Sequence, residues 1–118
     1  MLHQMVLYQE PFQSIVSGRK VVEIRLNDQK RQVIQVADQI EFTNLSTNEQ
    51  VVVKVTARQS FKNFRELYKQ IPLERIDCIG WSMEELLKET YCIYSEEAEK
   101  KFGALALTIE LATTAGNK

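Results

Sequence analysis

Histidine and cysteine are scarce in this chain of 118 residues, which has one His and two Cys. Their placement removes the commonest metal sites. Cys78 and Cys92 are too far apart for a CxxC pair, and His3 alone cannot complete a zinc set with them. No metal or other cofactor is expected, and both cysteines read as small buried apolar residues suited to a reducing compartment. Long apolar runs are missing as well. The longest, Val51-Val52-Val53 and Gly103 to Leu107, fall far short of the roughly 20 residues a membrane helix needs. Met1 onward lacks the basic-then-apolar pattern of a leader. The expectation is a cytoplasmic protein without membrane contact. There is also no internal repeat and no succession of βαβ units.

What is present suffices for one core: 44% of residues are hydrophobic and 26% charged, an ordinary balance for a single domain. That domain is expected over residues 1–111, with 112–118 a small, polar, frayed tail. The net charge of −1 conceals an asymmetry. Residues 1–71 hold ten Lys and Arg against seven Asp and Glu, whereas residues 72–118 hold five against nine. Within the first half Arg19, Lys20, Arg25, Lys30 and Arg31 face only Glu23 and Asp28, a local basic surface that can attract phosphate.

Leu2 to Tyr8 reads as a first strand. Pro11 then opens a helix with Phe12, Ile15 and Val16 at helical spacing, and Gly18 ends it in a left-handed turn that leads into a strand from Val21 to Leu26. Asn27 to Val36 is a polar, basic loop or single helical turn. Ile40 and Phe42, then Val51, Val53 and Val55, alternate with polar residues across the turn chemistry of Asn44 to Glu49, which predicts an antiparallel hairpin. Phe61, Phe64, Tyr68 and Ile71 share one face of a helix over about Asn63 to Gln70, closed before Pro72. Ser82 with Glu85 forms a capping box, and Ser95 with Glu96 and Glu97 caps another short helix. Leu105, Leu107, Ile109 and Leu111 alternate with small residues in a last strand packed closely on both sides. The sum is an α+β domain: a small, mostly antiparallel β-barrel of about five strands flanked by short helices.

The segment Gly18-Arg19-Lys20-Val21-Val22-Glu23-Ile24-Arg25-Leu26-Asn27-Asp28 carries the most chemistry. Glu23 and Arg25 share a strand face, with Cα atoms roughly 7 Å apart at about 3.3 Å per residue. Lys20 has the opposite parity. It joins them only if the regular strand starts after it or a bulge resets the alternation. The plain reading is a surface ion-pair strip worth ~0 to 1 kcal/mol. The functional one is a cleft roofed by the Gly18 turn and the basic loop from Asn27 to Arg31, with Asp28 on its wall. There Arg25 holds phosphate or a base edge in its fixed fork of donors, and Glu23 fixes the two cations or accepts from an exocyclic amine. Trp81, in Gly80-Trp81-Ser82 beside a helix N-terminus, is either a residue packed over the core or a platform for a base, next to backbone N–H groups that can meet an anion.

The run G-R-K-V-V-E-I-R resembles the signature G-x-K-x-x-E-x-R of the ASCH domain, a branch of the PUA-like superfold. P-F-Q-S-I-V-S-G, D-Q-K-R, V-A-D-Q-I-E-F, F-K-N-F-R-E-L-Y and F-G-A-L-A-L-T-I-E-L follow the family's order, so nearly the whole chain resembles a small, single-domain, bacterial-type member. The resemblance implies a small barrel flanked by helices and a cleft, lined by Lys20, Glu23 and Arg25, for RNA or a nucleotide-like ligand. One departure is Ala37, where the family usually has glycine; a locally altered turn is expected there. Some small ASCH-like proteins resemble amidohydrolases that deacetylate N4-acetylcytidine with a lysine, a threonine and a glutamate. By position Lys20 matches the lysine, while Glu23 stands where the threonine belongs. Glu74 or Asp77 is then the remote carboxylate, and Lys20 with a carboxylate can still activate water. A third possibility is a protein-interaction module that uses the acidic second half.

Overall fold

The computed structural model describes residues 1–112; residues 113–118, in the segment expected to fray, lie outside it. Five strands run in the order β1-β3-β4-β5-β2 within one sheet: β1 Leu2–Leu7, β2 Val22–Leu26, β3 Gln39–Asn44, β4 Gln50–Phe61 and β5 Ala104–Leu111. β1 runs parallel to β3, and the pairings β3 with β4, β4 with β5 and β5 with β2 are antiparallel. The hairpin is closed by Asn44, whose Oδ1 accepts from Ser46 N at 2.8 Å and whose backbone N–H donates to Glu49 O at 2.8 Å. The register of β4 against β5 shifts between Val55 and Ala57. Such an irregularity bends a strand and tightens its twist, which lets one long strand pair with β3 at its start and with β5 along the rest.

The curled sheet encloses one apolar cluster, with Met5, Leu7, Ile40, Phe42, Val53, Val55, Leu105, Leu107 and Ile109 from the strands, and Phe12 and Ile15 of α1 (Gln9–Val16) closing one end. A second cluster lies on its outer face. There Val22, Leu26, Ala104 and Ala106 meet Phe64 and Leu67 of α3 (Phe64–Gln70) and Leu86 and Leu87 of α4 (Met83–Tyr91). α2 (Gln29–Gln32) is a single turn, and α5 (Glu96–Phe102) leads into β5. The small residues of β5 therefore mark the side on which helices come close, as its pattern implied.

Gly103 connects α5 to β5 at φ 76, and a Cβ there would stand 2.6 Å from Phe61 O; only glycine allows that approach. The capping box at Ser82 and the Ser95 cap form as expected. Four local expectations do not survive. Phe61 ends β4 instead of lying on the α3 face. Val16 is exposed, at the last position of an α1 that buries Phe12 and Ile15. Cys92 is exposed and Cys78 only half-buried. Ala112, assigned to the tail, donates its N–H to Val52 O. Ala37, where a locally altered turn is expected, has a φ of 81, a left-handed conformation that strains a residue other than glycine.

Candidate functional site

Regular pairing of β2 starts at Val22, after Lys20. Upstream the chain takes another path: Lys20 N–H donates to Ser14 O of α1, Val21 N–H donates to Arg75 O, and Lys20 forms an isolated bridge with Ile76. The parity conflict is thereby resolved. Lys20 Nζ comes within 2.8 Å of Glu23 Oε1, while Arg25 Nε donates to Glu23 Oε2 at 2.7 Å. One carboxylate sits between two cations. The Lys20 contact is charge to charge, since Oε1 has no aligned hydrogen-bond donor.

This group is no surface strip. Glu23 is 2% exposed and Arg25 9%, and both stand on the sheet face of their cross-strand partners Leu107 and Leu105. Arg25 lies over the Phe42 ring, 6.0 Å from its centroid, a contact between a cation and the negative ring face. Its Nη2 donates to Val6 O at 3.0 Å. Among the described residues no ladder joins β1 to β2, so this guanidinium spans the seam between the two sheet edges. Burial strongly opposes the charged form of Glu23, yet the charges of Lys20 and Arg25, with the Arg25 hydrogen bond, together outweigh it and hold the carboxyl below its usual range. For Arg25 burial is again opposed, chiefly by Glu23, and its affinity for the proton rises.

Lys20 also faces a cleft of about 390 Å³ between β2, α1, α3 and α4. Four aromatic residues line it. Phe64 and Tyr94 stack at 5.6 Å and 12°, Tyr68 lies beside them, and Trp81, 39% exposed, lines the same cleft. Tyr68 Oη and Thr90 Oγ1 are 2.7 Å apart. Burial pushes the Tyr68 hydroxyl up to about 12, so it stays neutral. Of the two candidate carboxylates the cleft contains Asp77 and not Glu74. Asp77 sits at φ 57, accepts from Ser14 Oγ at 2.7 Å and from Arg19 Nε at 3.2 Å, and is held below its usual range first by the Ser14 hydrogen bond and then by Arg19.

Two expected contributors are committed elsewhere. Asp28 caps α2, accepting from Arg31 N at 3.2 Å and Arg31 Nη1 at 2.6 Å, and it is not part of the Lys20 cleft. At the start of α4, Ser82 N–H donates to Glu85 and Glu85 N–H to Ser82, so two of the donors that were to meet an anion beside Trp81 are satisfied internally. Ser14, Thr90 and Tyr94 were not singled out by sequence reasoning. Ser14 meets Asp77 across 63 positions, and no local pattern carries such a contact.

The sequence model of the ASCH domain matches residues 5–113. The chain belongs to the ASCH domain family. Among solved structures this ASCH domain is similar to the hypothetical protein PH0355, with 33% identity and a TM-score of 0.85 over 95% of this chain and 100% of that one. It is similar to protein PF0455 from Pyrococcus furiosus, with 35% identity and a TM-score of 0.75 over 94% of this chain and 97% of that one. The ASCH protein from Zymomonas mobilis shares the fold at 14% identity and a TM-score of 0.64, over 93% of this chain and 69% of that one. No curated protein matches. The five-stranded curled sheet with flanking helices is the ASCH and PUA-like α+β fold, and no helix among its described residues is long and apolar enough to cross a membrane.

Glu23, at the position where the resemblance to amidohydrolases leads one to expect a threonine, is a buried, doubly paired carboxylate. Cys78 is the one thiol in the cleft, and burial pushes its pKa up, which keeps it protonated and a poor nucleophile. The chemistry left to the cleft is that of Lys20, the carboxylates Glu10, Asp77 and Glu89, and the hydroxyls of Ser14, Tyr68 and Thr90.

Proposed function

We propose that the Lys20 cleft binds the base of an RNA or of a nucleotide-like ligand. What supports the reading is the meeting, in a space of about 390 Å³, of aromatic walls with Lys20 and Asp77. Planar π-faces suit a base, and side-chain donors and acceptors suit its edge. The roles shift from those expected of the signature: Lys20 contacts the ligand, while Glu23 and Arg25 stand behind it and hold it in place. Trp81 supplies the stacking surface. Short single-stranded RNAs and nucleotides are to be titrated into the protein, its Trp81→Ala variant and its Lys20→Gln variant. Loss of a stacked base contact should weaken binding by about 1–3 kcal/mol in Trp81→Ala. Unchanged affinity in both variants would sink the reading.

A second reading, hydrolysis of a modified nucleoside amide such as N4-acetylcytidine, is favoured by Asp77 facing the same cleft as Lys20. Asp77 would take a proton from the attacking water and return it to the departing N4 amine as the C–N bond breaks, giving cytidine and acetate, while Lys20 would stabilise the oxyanion formed between the two steps. Incubation with N4-acetylcytidine tests it; release of cytidine no faster than with Lys20→Ala or Asp77→Asn removes that substrate.

A further inference from the structure

A second cavity of about 390 Å³ shares no residue with the Lys20 cleft. Gln4 and Val6 of β1, Glu41 and Thr43 of β3, and the three cations Arg25, Lys30 and Arg31 contribute to its walls. We propose that this cavity is a binding site for a phosphate group. The charge of the two cavities is opposite. Lys20 is outnumbered in its cleft by Glu10, Asp77 and Glu89, whereas Glu41 faces three cations here. A phosphate group is therefore drawn to the second cavity rather than to the first.

Both arginines are already fixed by carboxylates behind the wall, Arg25 by Glu23 and Arg31 by Asp28. That pairing orients them without exhausting them. A guanidinium has five N–H donors; Arg25 directs Nε to Glu23 and Nη2 to Val6 O, and Arg31 directs Nη1 to Asp28. Arg31 Nε is buried with no partner among the described residues, an unmet donor that a small readjustment around an anion would satisfy. Lys30 is exposed and forms no ion pair among the described residues. The one carboxylate, Glu41, is engaged by Gln4 Nε2 at 3.1 Å and Gln50 Nε2 at 3.4 Å. A tetrahedral anion with several acceptor oxygens matches such a set of fixed forks and a mobile ammonium. The phosphate is either free or part of an RNA backbone, and this proposal does not depend on base binding in the Lys20 cleft.

The test follows the arginine Nε–H resonances of isotope-labelled protein during titration with inorganic phosphate, and separately with a 5′-phosphorylated RNA dinucleotide. Both Arg25 and Arg31 signals should move with inorganic phosphate, and Lys30→Glu, at an exposed position where the fold is not at stake, should weaken the response at least tenfold. Arg31→Gln should abolish it. A dinucleotide that binds tighter than inorganic phosphate assigns the site to an RNA backbone, and equal affinity assigns it to the free anion; either outcome supports the site. A phosphate-free nucleoside should move signals of the Lys20 cleft and leave Arg31 unmoved, so the two readings fail separately. Arginine signals that stay still in millimolar phosphate, or a response unchanged in Lys30→Glu, overturn the proposal.

Discussion

The two faces of β2 are both covered, but by different chemistry. Val22, Ile24 and Leu26 face the helices, an arrangement that apolar burial alone explains. Glu23 and Arg25 face the inside of the curled sheet, among Leu105, Leu107 and Phe42, where two charges must be taken out of water. Desolvation makes such a pair no better for stability than a well-packed apolar one. The difference teaches what the charged face is for: it fixes the position of Lys20 at a cleft and ties the open edge of the sheet to β1 through Val6 O.

The sharpest way to break this comparison is Glu23→Gln. Removing one member of a buried pair strands the remaining charge, so unfolding in urea should show a loss of about 3–5 kcal/mol. The double variant Glu23→Leu with Arg25→Met should recover most of that loss while reducing ligand affinity, because Lys20 is then unheld. A double variant as unstable as the single one would mean that the pair stabilises the fold rather than positions Lys20.

The next effects concern two backbone positions with positive φ, each just before a strand. Gly103→Ala drives a Cβ against Phe61 O where the outer cluster is tightest, and thermal unfolding should report at least about 2 kcal/mol of destabilisation. Ala37→Gly runs the other way. It relieves ~1–2 kcal/mol of left-handed strain against ~0.4–1 kcal/mol of added freedom in the unfolded chain. A net gain of roughly 0.5–1 kcal/mol is expected from these two terms, and a loss would show that the Ala37 methyl group packs favourably.

The sequence made much of this legible. Period-two alternation located β3, the start of β4 and β5, and the capping signals located α4 and α5, because those features depend on neighbours within a few residues. The signature itself pointed to Lys20, Glu23 and Arg25. What it could not supply was their burial, since a charged strand face is read as solvent-facing unless something covers it, and β1, β3 and β4 lie far away in sequence. The position of Lys20 depended on hydrogen bonds to Ser14 and Arg75, which no strand pattern encodes. The choice of Asp77 over Glu74 likewise rested on a contact with Ser14.

The smallest expected effect contrasts Glu23 with a carboxylate near the surface. Asp38 accepts from His3 Nε2 at 2.7 Å and from Gln35 N–H at 3.0 Å, and these bonds, His3 first, lower its pKa from 3.8 to about 2. A carboxyl whose folded pKa is depressed adds stability that is complete above its unfolded value and disappears as pH falls through the folded one. The Asp38 contribution should therefore be full above about pH 4 and lost progressively toward pH 2, while the Glu23 contribution is likewise lost as pH falls through its own lowered value. Midpoints of urea unfolding measured across that range separate the two. Asp38→Asn should be less stable than the parent at neutral pH and converge with it in acid, with the Glu23 dependence left in place. Parallel curves for the two proteins would show that Asp38 acts through geometry alone, and that the acid sensitivity of the fold resides in the buried pair.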